Sequence, residues 1–343
     1  MSNILFGQNR DGEEVYIYTL KNDNGMQVRF LNLGATVHEI FVPDREGKSV
    51  QVSAIYDNPL SYEQETTYFG AIVAPYANRI ANAKFTIDGQ EYVTDANNNE
   101  NSLHSGVNGI AKKIWQVKEQ TENKIVFTHD AKDLEQGFPG NLRQTIRYIL
   151  TEQDEFQIEY DMVADQTTVV NPTNHTYFNL NGHDSGSILE HEMEVWSDTF
   201  LETDEKLIPT GKFINVGETP MDFRKRKLVG KDIRDNYKPL VIAGGYDHNW
   251  CLNNQGEFAK VVELSSELSG ITMEVYTDLP GVQVYSGNFL KEEIGKDGIV
   301  YKKRQGICFE TQHYPDAINH ENFPSPIVKE GEEYKTTTVY KFL

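Results

Sequence analysis

Two side chains in this sequence have the chemistry to move protons and sit in surroundings that call for a test of that role. His175 lies in Asn171-Pro172-Thr173-Asn174-His175-Thr176-Tyr177-Phe178-Asn179-Leu180-Asn181, a run of amides, hydroxyls and aromatic rings that a buried strand does not require. An imidazole titrates near neutrality, and amides and hydroxyls around it can fix which nitrogen carries its proton. Glu310 lies in Gly306-Ile307-Cys308-Phe309-Glu310-Thr311-Gln312. Strand alternation puts Cys308, Glu310 and Gln312 on one face and Ile307, Phe309 and Thr311 on the other. A carboxylate in an apolar strand must find partners or hold its proton to higher pH, as a general base working near neutrality does. Each residue also has a plainer explanation: a hydrogen-bonded histidine in a turn after Pro172, and an outward-facing glutamate on an edge strand.

Four further stretches set charged or imidazole groups among glycines, asparagines and aromatic rings. In Pro75-Tyr76-Ala77-Asn78-Arg79-Ile80, the planar fork of Arg79 can grip a carboxylate or two adjacent hydroxyls, or serve a structural ion pair. His104, in Asn101-Ser102-Leu103-His104-Ser105-Gly106, sits in a loop whose backbone can approach a ligand closely. Asp247 follows two glycines and a tyrosine, and suits either hydroxyl binding or a turn. Tyr285 can lay its ring on an apolar face or pack in the core, and Trp115, Trp196 and Trp250 are expected in the core.

The other chemistries are poorly served. His183 and His191 flank Asp184 and Glu190, but HExxH spacing, Cys/His pairs and an aspartate-rich calcium loop are lacking, so no metal is expected. Glycine-rich phosphate loops and the G-x-S-x-G elbow are also missing. With 32 Lys+Arg against 52 Asp+Glu, the net charge of −20 repels phosphate backbones and anionic lipid, so neither nucleic acid nor membrane is an expected partner. Met1 to Arg10 has only Ile4-Leu5-Phe6 as an apolar run, too short for a signal peptide, and two cysteines fit a reducing cytoplasm.

The elements that must position these residues are strands. Phe156-Gln157-Ile158-Glu159-Tyr160-Asp161-Met162 alternates as a half-buried antiparallel strand does, as does Ile271 to Val275, and Val28-Arg29-Phe30 begins another such run. Phe85 to Val93 reads as a hairpin with Asp88-Gly89 at its tip, and Asp278-Leu279-Pro280-Gly281 as a type II turn. Helices are few and short: Asn58 to Glu63, and a turn or two over Lys231 to Tyr237 before Pro239. With no repeat or linker, the expectation is one all-β domain over 1–343, a large antiparallel β-sandwich.

Assembled in order, these stretches resemble the aldose 1-epimerase (galactose mutarotase) family. The resemblance also runs through Leu31-Asn32-Leu33-Gly34-Ala35, Gly137-Phe138-Pro139-Gly140, Asp222-Phe223-Arg224, Tyr314-Pro315-Asp316 and Gly331-Glu332-Glu333-Tyr334. It implies a galactose mutarotase-like sandwich that interconverts α and β anomers of a free monosaccharide such as galactose or glucose in an open cleft, without metal or organic cofactor. It implies Glu310 as general base and His175 as general acid on opposite sides of the C1–O5 region. Arg79, His104 and Asp247 would hold the sugar, with Asn78 as a further contributor. Beside the resemblance, Tyr285 stays a candidate platform for the sugar from its ring, and a monomer or homodimer is expected. Ser105 departs from the family, where many members have glycine after the histidine. A carbohydrate-binding module, a glycosidase using Glu310 and Asp247, and an epimerase of hexose 6-phosphates using Arg224-Lys225-Arg226-Lys227 are the competing readings.

Overall fold

The computed structural model describes residues 3–343. Three antiparallel sheets, of five, nine and six strands, account for most of it, with short two-stranded ribbons between them. Inside the nine-stranded sheet, Glu155–Ala164 pairs on one side with Leu142–Leu150 and on the other with the last strand of the chain, Glu333–Phe342, which is the middle strand of the sheet. Along Glu155–Ala164, buried and half-buried residues alternate without a break, because Phe156, Ile158, Tyr160 and Met162 share the inner face. The six-stranded sheet runs Tyr177–Phe178, Ile307–Gln312, Gly281–Tyr285, Asp247–Cys251, Thr199–Thr203 and Pro209–Asn215.

These two sheets pack face to face. The Tyr340 hydroxyl donates to the Phe309 carbonyl at 3.0 Å, the hydroxyls of Thr311 and Thr338 meet at 2.5 Å, and the Phe178 and Tyr340 rings lie 5.0 Å apart. Ile307 and Phe309 therefore belong to the main core. The alternate residues Cys308, Glu310 and Gln312 turn away from it, and Cys308 packs instead in a second cluster with Val15, Leu31, Tyr177 and Tyr285.

Most of the strand and hairpin expectations hold. Lys84–Ile87 pairs with Gln90–Val93, with Asp88 and Gly89 both at positive φ, the signature of a tight hairpin turn. The helix Pro59–Gln64 is capped by the Asn58 side chain, which accepts from the Ser61 amide. Trp115 and Trp250 are fully buried, whereas Trp196 is half-buried under the Lys260 ammonium.

Two local expectations fail. The segment before Pro239 forms only turns, and the helix is Lys238–Ala243, with Pro239 in its first turn. Proline lacks an N–H that the first turn would leave unpaired in any case, so it starts this helix rather than stopping one. Gly281 does not have the positive φ of a type II turn; it is the first residue of a strand. Asp278 to Pro280 carries the chain from the nine-stranded sheet to the six-stranded one, so no hairpin forms there. Met1 and Ser2 of the N-terminal segment lie outside the described residues. Among those residues, no helix is long and apolar enough to cross a membrane, and Cys251 and Cys308 are both free.

Candidate active site

The polar segment around His175 is mostly scaffold. Thr173 and Asn174 pair with Val73 and Ile72, the Asn171 side chain accepts from the His313 amide at 2.7 Å, and Thr173 donates to the Thr311 carbonyl at 2.9 Å. Asn174 donates to the Gly70 carbonyl at 2.8 Å, while the Gly70 amide donates to the His175 carbonyl at 3.0 Å. Gly70 has φ +65, and a Cβ there would fall 1.9 Å from the Val37 carbonyl oxygen, so only glycine lets the backbones approach this closely. The amides thus secure main chain, and His175 is the side chain they present.

Glu310 comes from the neighbouring strand. Its register partner is Gln283, and the next strand places Asp247 opposite Tyr285. Gln283 donates to Asp247 Oδ1 at 2.7 Å. The turn into Asp247 depends on Gly245, at φ +143, where a Cβ would meet Asn288 Oδ1 at 2.3 Å. Asn288 braces that turn by donating to the Ala243 and Tyr246 carbonyls.

Arg79, Asn78 and His104 arrive from the other wall, where Arg79–Ile80 pairs with Ser102–Leu103. Asn78 and His104 both take the left-handed conformation and lock together. The His104 amide donates to the Asn78 carbonyl at 3.0 Å, and the Asn78 amide donates to His104 Nδ1 at 3.2 Å. Arg79 Nε donates to Asn98 Oδ1. Ser105, also left-handed, accepts from the Tyr76 amide at 2.8 Å and donates to the Tyr76 carbonyl at 2.9 Å. Its hydroxyl ties down a loop that glycine would leave looser.

All seven residues singled out in the sequence, Asn78, Arg79, His104, His175, Asp247, Tyr285 and Glu310, line one cavity of about 130 Å³. That is below the roughly 300–1,000 Å³ of sites for drug-sized ligands and suits one small molecule. His175 Nε2 stands 3.7 Å from Glu310 Oε1. The two are therefore neighbours, too close to hold a sugar between them, and the expected placement on opposite sides is corrected.

Thr66, Tyr68, Leu103, Tyr177 and Phe289 also line the cavity. Tyr177 stacks on His175 at 5.1 Å, and its place two residues along the same motif was a usable signal. Gln283 could have been found from its alternation with Tyr285. Thr66 and Tyr68 belong to no stretch that stands out in the sequence.

Electrostatics favours uncharged forms. Burial pushes His175 down to about 4, and burial, with help from His175 and Arg79, pushes His104 well below 6.5. Burial and then the nearby Asp247 carboxylate push Glu310 well above 4.5, against an opposing pull from Arg79. Asp247 is raised by burial, partly offset by Arg79 and Gln283. Glu310 Oε2 is buried without a protein partner, as an oxygen awaiting a ligand would be.

His104, His175 and Glu310 also bring three donor atoms within 4.8 Å of one another, close enough to be tested as a metal set. The Asn78 amide occupies His104 Nδ1, so the neutral ring carries its proton on Nε2 and presents a donor, which suits a hydroxyl oxygen better than a cation. His183 and His191 are held structurally, by the Tyr301 hydroxyl and the Leu180 amide.

The family model for aldose 1-epimerase matches residues 16–341. The chain belongs to the aldose 1-epimerase family. It is 41% identical to a galactose mutarotase of Bos taurus over 95% of this chain and 93% of that protein. It is 34% identical to an aldose 1-epimerase of Escherichia coli (strain K12), over 97% and 96% of the two chains. Among solved structures, an aldose epimerase homologue from C. elegans superposes with TM-score 0.88 at 27% identity, covering 95% of this chain and 98% of that one. A galactose 1-epimerase from Lactobacillus acidophilus gives TM-score 0.87 at 25% identity, covering 100% and 98%. As in these relatives, the epimerase fold here is a sandwich of antiparallel sheets.

Proposed function

We propose that Glu310 and His175 carry out the reaction of this epimerase, with Arg79, His104, Asp247, Asn78 and Tyr285 holding the sugar. The chain is an isomerase that interconverts the α and β anomers of free aldoses such as galactose and glucose. Glu310 takes the proton of the anomeric hydroxyl, the C1–O5 bond breaks, and His175 protonates the ring oxygen. Rotation about C1–C2 and the reverse transfers deliver the other anomer. The observation that carries this reading is the buried contact of 3.7 Å between His175 Nε2 and Glu310 Oε1. The two reacting oxygens are bonded to one carbon, so the groups serving them must be neighbours.

Burial favours the proton on Glu310 and a neutral imidazole, whereas the assigned roles need the carboxylate and the imidazolium. Both forms hold the same number of protons, and one transfer over this short separation interconverts them. Arg79, which pulls the Glu310 pKa down, and the sugar oxygens supply partners for the charged form.

A free sugar fits better than a phosphorylated one. Arg79 is the only cationic side chain among the described residues lining the cavity. The Arg224 to Lys227 cluster lines a different cleft, where Arg224 pairs with Asp198 and Asp222, Arg226 with Glu263, and Lys227 with Asp232. One domain over 1–343, acting as a monomer or homodimer, is part of the reading, and the seven site residues need no residue of a second subunit to form the cavity. A cytoplasmic location is part of the reading, supported by the two free cysteines.

Polarimetry on pure α-anomers of galactose, glucose, xylose and maltose tests the activity and ranks the substrates. Glu310→Gln and His175→Asn are each expected to lower kcat by about 10² to 10⁴. Near-normal turnover of either variant would overturn the assignment.

A further inference from the structure

The His175 ring has a partner on the edge away from Glu310. Cys308 Sγ lies 3.5 Å from Nδ1, in a buried contact, and among the described residues it is the only side chain hydrogen-bonded to the ring. Cys308 is two residues before Glu310 on the same strand face, and its register partner is Tyr177, whose ring stacks on His175. Stacking fixes the plane of the imidazole, and the sulfur fixes its edge.

We propose that Cys308 is a positioning residue whose sulfur accepts a hydrogen bond from Nδ1–H of His175 throughout the reaction, so that Nε2 alone exchanges a proton. The proposal rests on His175 as the acid. When the imidazolium gives its Nε2 proton to the ring oxygen, the neutral ring left behind carries its hydrogen on Nδ1. An acceptor must already be there, and on ring closure Nε2 takes the proton back while Nδ1–H stays in place.

A neutral sulfur suits this task. Burial, and then Glu310 and Asp247, push the Cys308 thiol well above its usual range, so no thiolate forms beside the ring. A carboxylate in that position would stabilise the imidazolium and make it a poorer acid. Sulfur accepts only weakly, which orients the ring without such stabilisation.

Nitrogen-15 NMR of the full chain at pH 7, with His175→Asn used to assign the resonance, reads the tautomer directly. The wild type is expected to show Nδ1–H. Cys308→Val keeps bulk but removes the acceptor, so the tautomers should mix, with kcat down about 10-fold and KM within about 2-fold of wild type. Cys308→Ser keeps an acceptor and should retain Nδ1–H and recover most of kcat. An Nε2–H tautomer in the wild type, wild-type kcat in the Val variant, or a Ser variant no better than Val would each overturn the proposal. A wild-type protein that fails to accelerate mutarotation would instead overturn the reaction assignment, and the tautomer would still decide the role of Cys308.

Discussion

At the scale of single residues, the active form of the His175–Glu310 pair holds one proton. Acidification adds a second, to an imidazole that burial holds down to about 4; alkalinisation removes the last, from a carboxyl that burial and Asp247 push well above 4.5. The profile of kcat/KM against pH is therefore expected to be bell-shaped, with an acid limb well below 6.5 and apparent pKa values belonging to the pair. Stopped-flow polarimetry corrected for buffer catalysis measures it. An acid limb centred at 6.5 would show that His175 titrates as a solvated imidazole and would refute the electrostatic account. Sequence alone pointed to both residues by chemical incongruity, an imidazole among amides and a carboxylate among apolar neighbours. Their separation was not legible, because it depends on how Thr173-Asn174 docks on Ile72-Val73, a pairing about a hundred residues apart with no local signature.

At the scale of elements, the site hangs on strand ends and on a left-handed loop. Asn78, His104 and Ser105 all adopt a conformation costing about 1–2 kcal/mol each for residues with a Cβ. The Ser105 hydroxyl offsets its share through two hydrogen bonds to Tyr76, each contributing about 0.5–1.5 kcal/mol. Ser105→Ala keeps the strain and loses both bonds, so it is expected to destabilise the protein by about 1–3 kcal/mol in urea unfolding and to raise KM. Ser105→Gly sheds strain and bonds together and should stay within about 1 kcal/mol of wild type. If Ala and Gly behave alike, the hydroxyl does not hold the loop. Alternation revealed the two faces of Ile307–Gln312, and Asp-Gly the hairpin at residue 88. The crossover at Pro280-Gly281 was misread because Pro-Gly is compatible with a turn within one sheet and with passage between two, and only tertiary packing separates them.

At the scale of the whole molecule, burial has a common consequence for histidine. His38, His175, His191, His248 and His313 are all pushed down from 6.5 to about 4, each chiefly by desolvation. The unfolded chain binds more protons at these positions between the two values. Their contribution to stability is thus full above 6.5 and is lost as pH falls toward 4. Glu39, lowered against its burial first by His38 and then by Lys296 and Arg29, acts in the same direction, while the raised Glu310 and Asp247 oppose it. With these five, and the likewise lowered His104, His129 and His183, dominating, the urea midpoint should fall from pH 7 to pH 5, and a constant or rising midpoint would contradict this balance. The all-β sandwich was legible because period two recurs along the chain, but the division into five-, nine- and six-stranded sheets was not, since alternation shows a strand's faces and not its neighbours.

The strand Ile307–Gln312 serves fold and site together: Phe309 and Thr311 bind the sheets together, while Glu310 lines the cavity and Cys308 backs the His175 ring behind it. Mutational drift along it is punished twice, once in folding and once in turnover. Thr66, Tyr68 and Phe289 touch the same cavity from loops, and Phe289 is half exposed. Relatives that diverge in which sugar they prefer are expected to differ at this rim while the strand stays fixed, so the specificity of the enzyme can evolve without renegotiating its core.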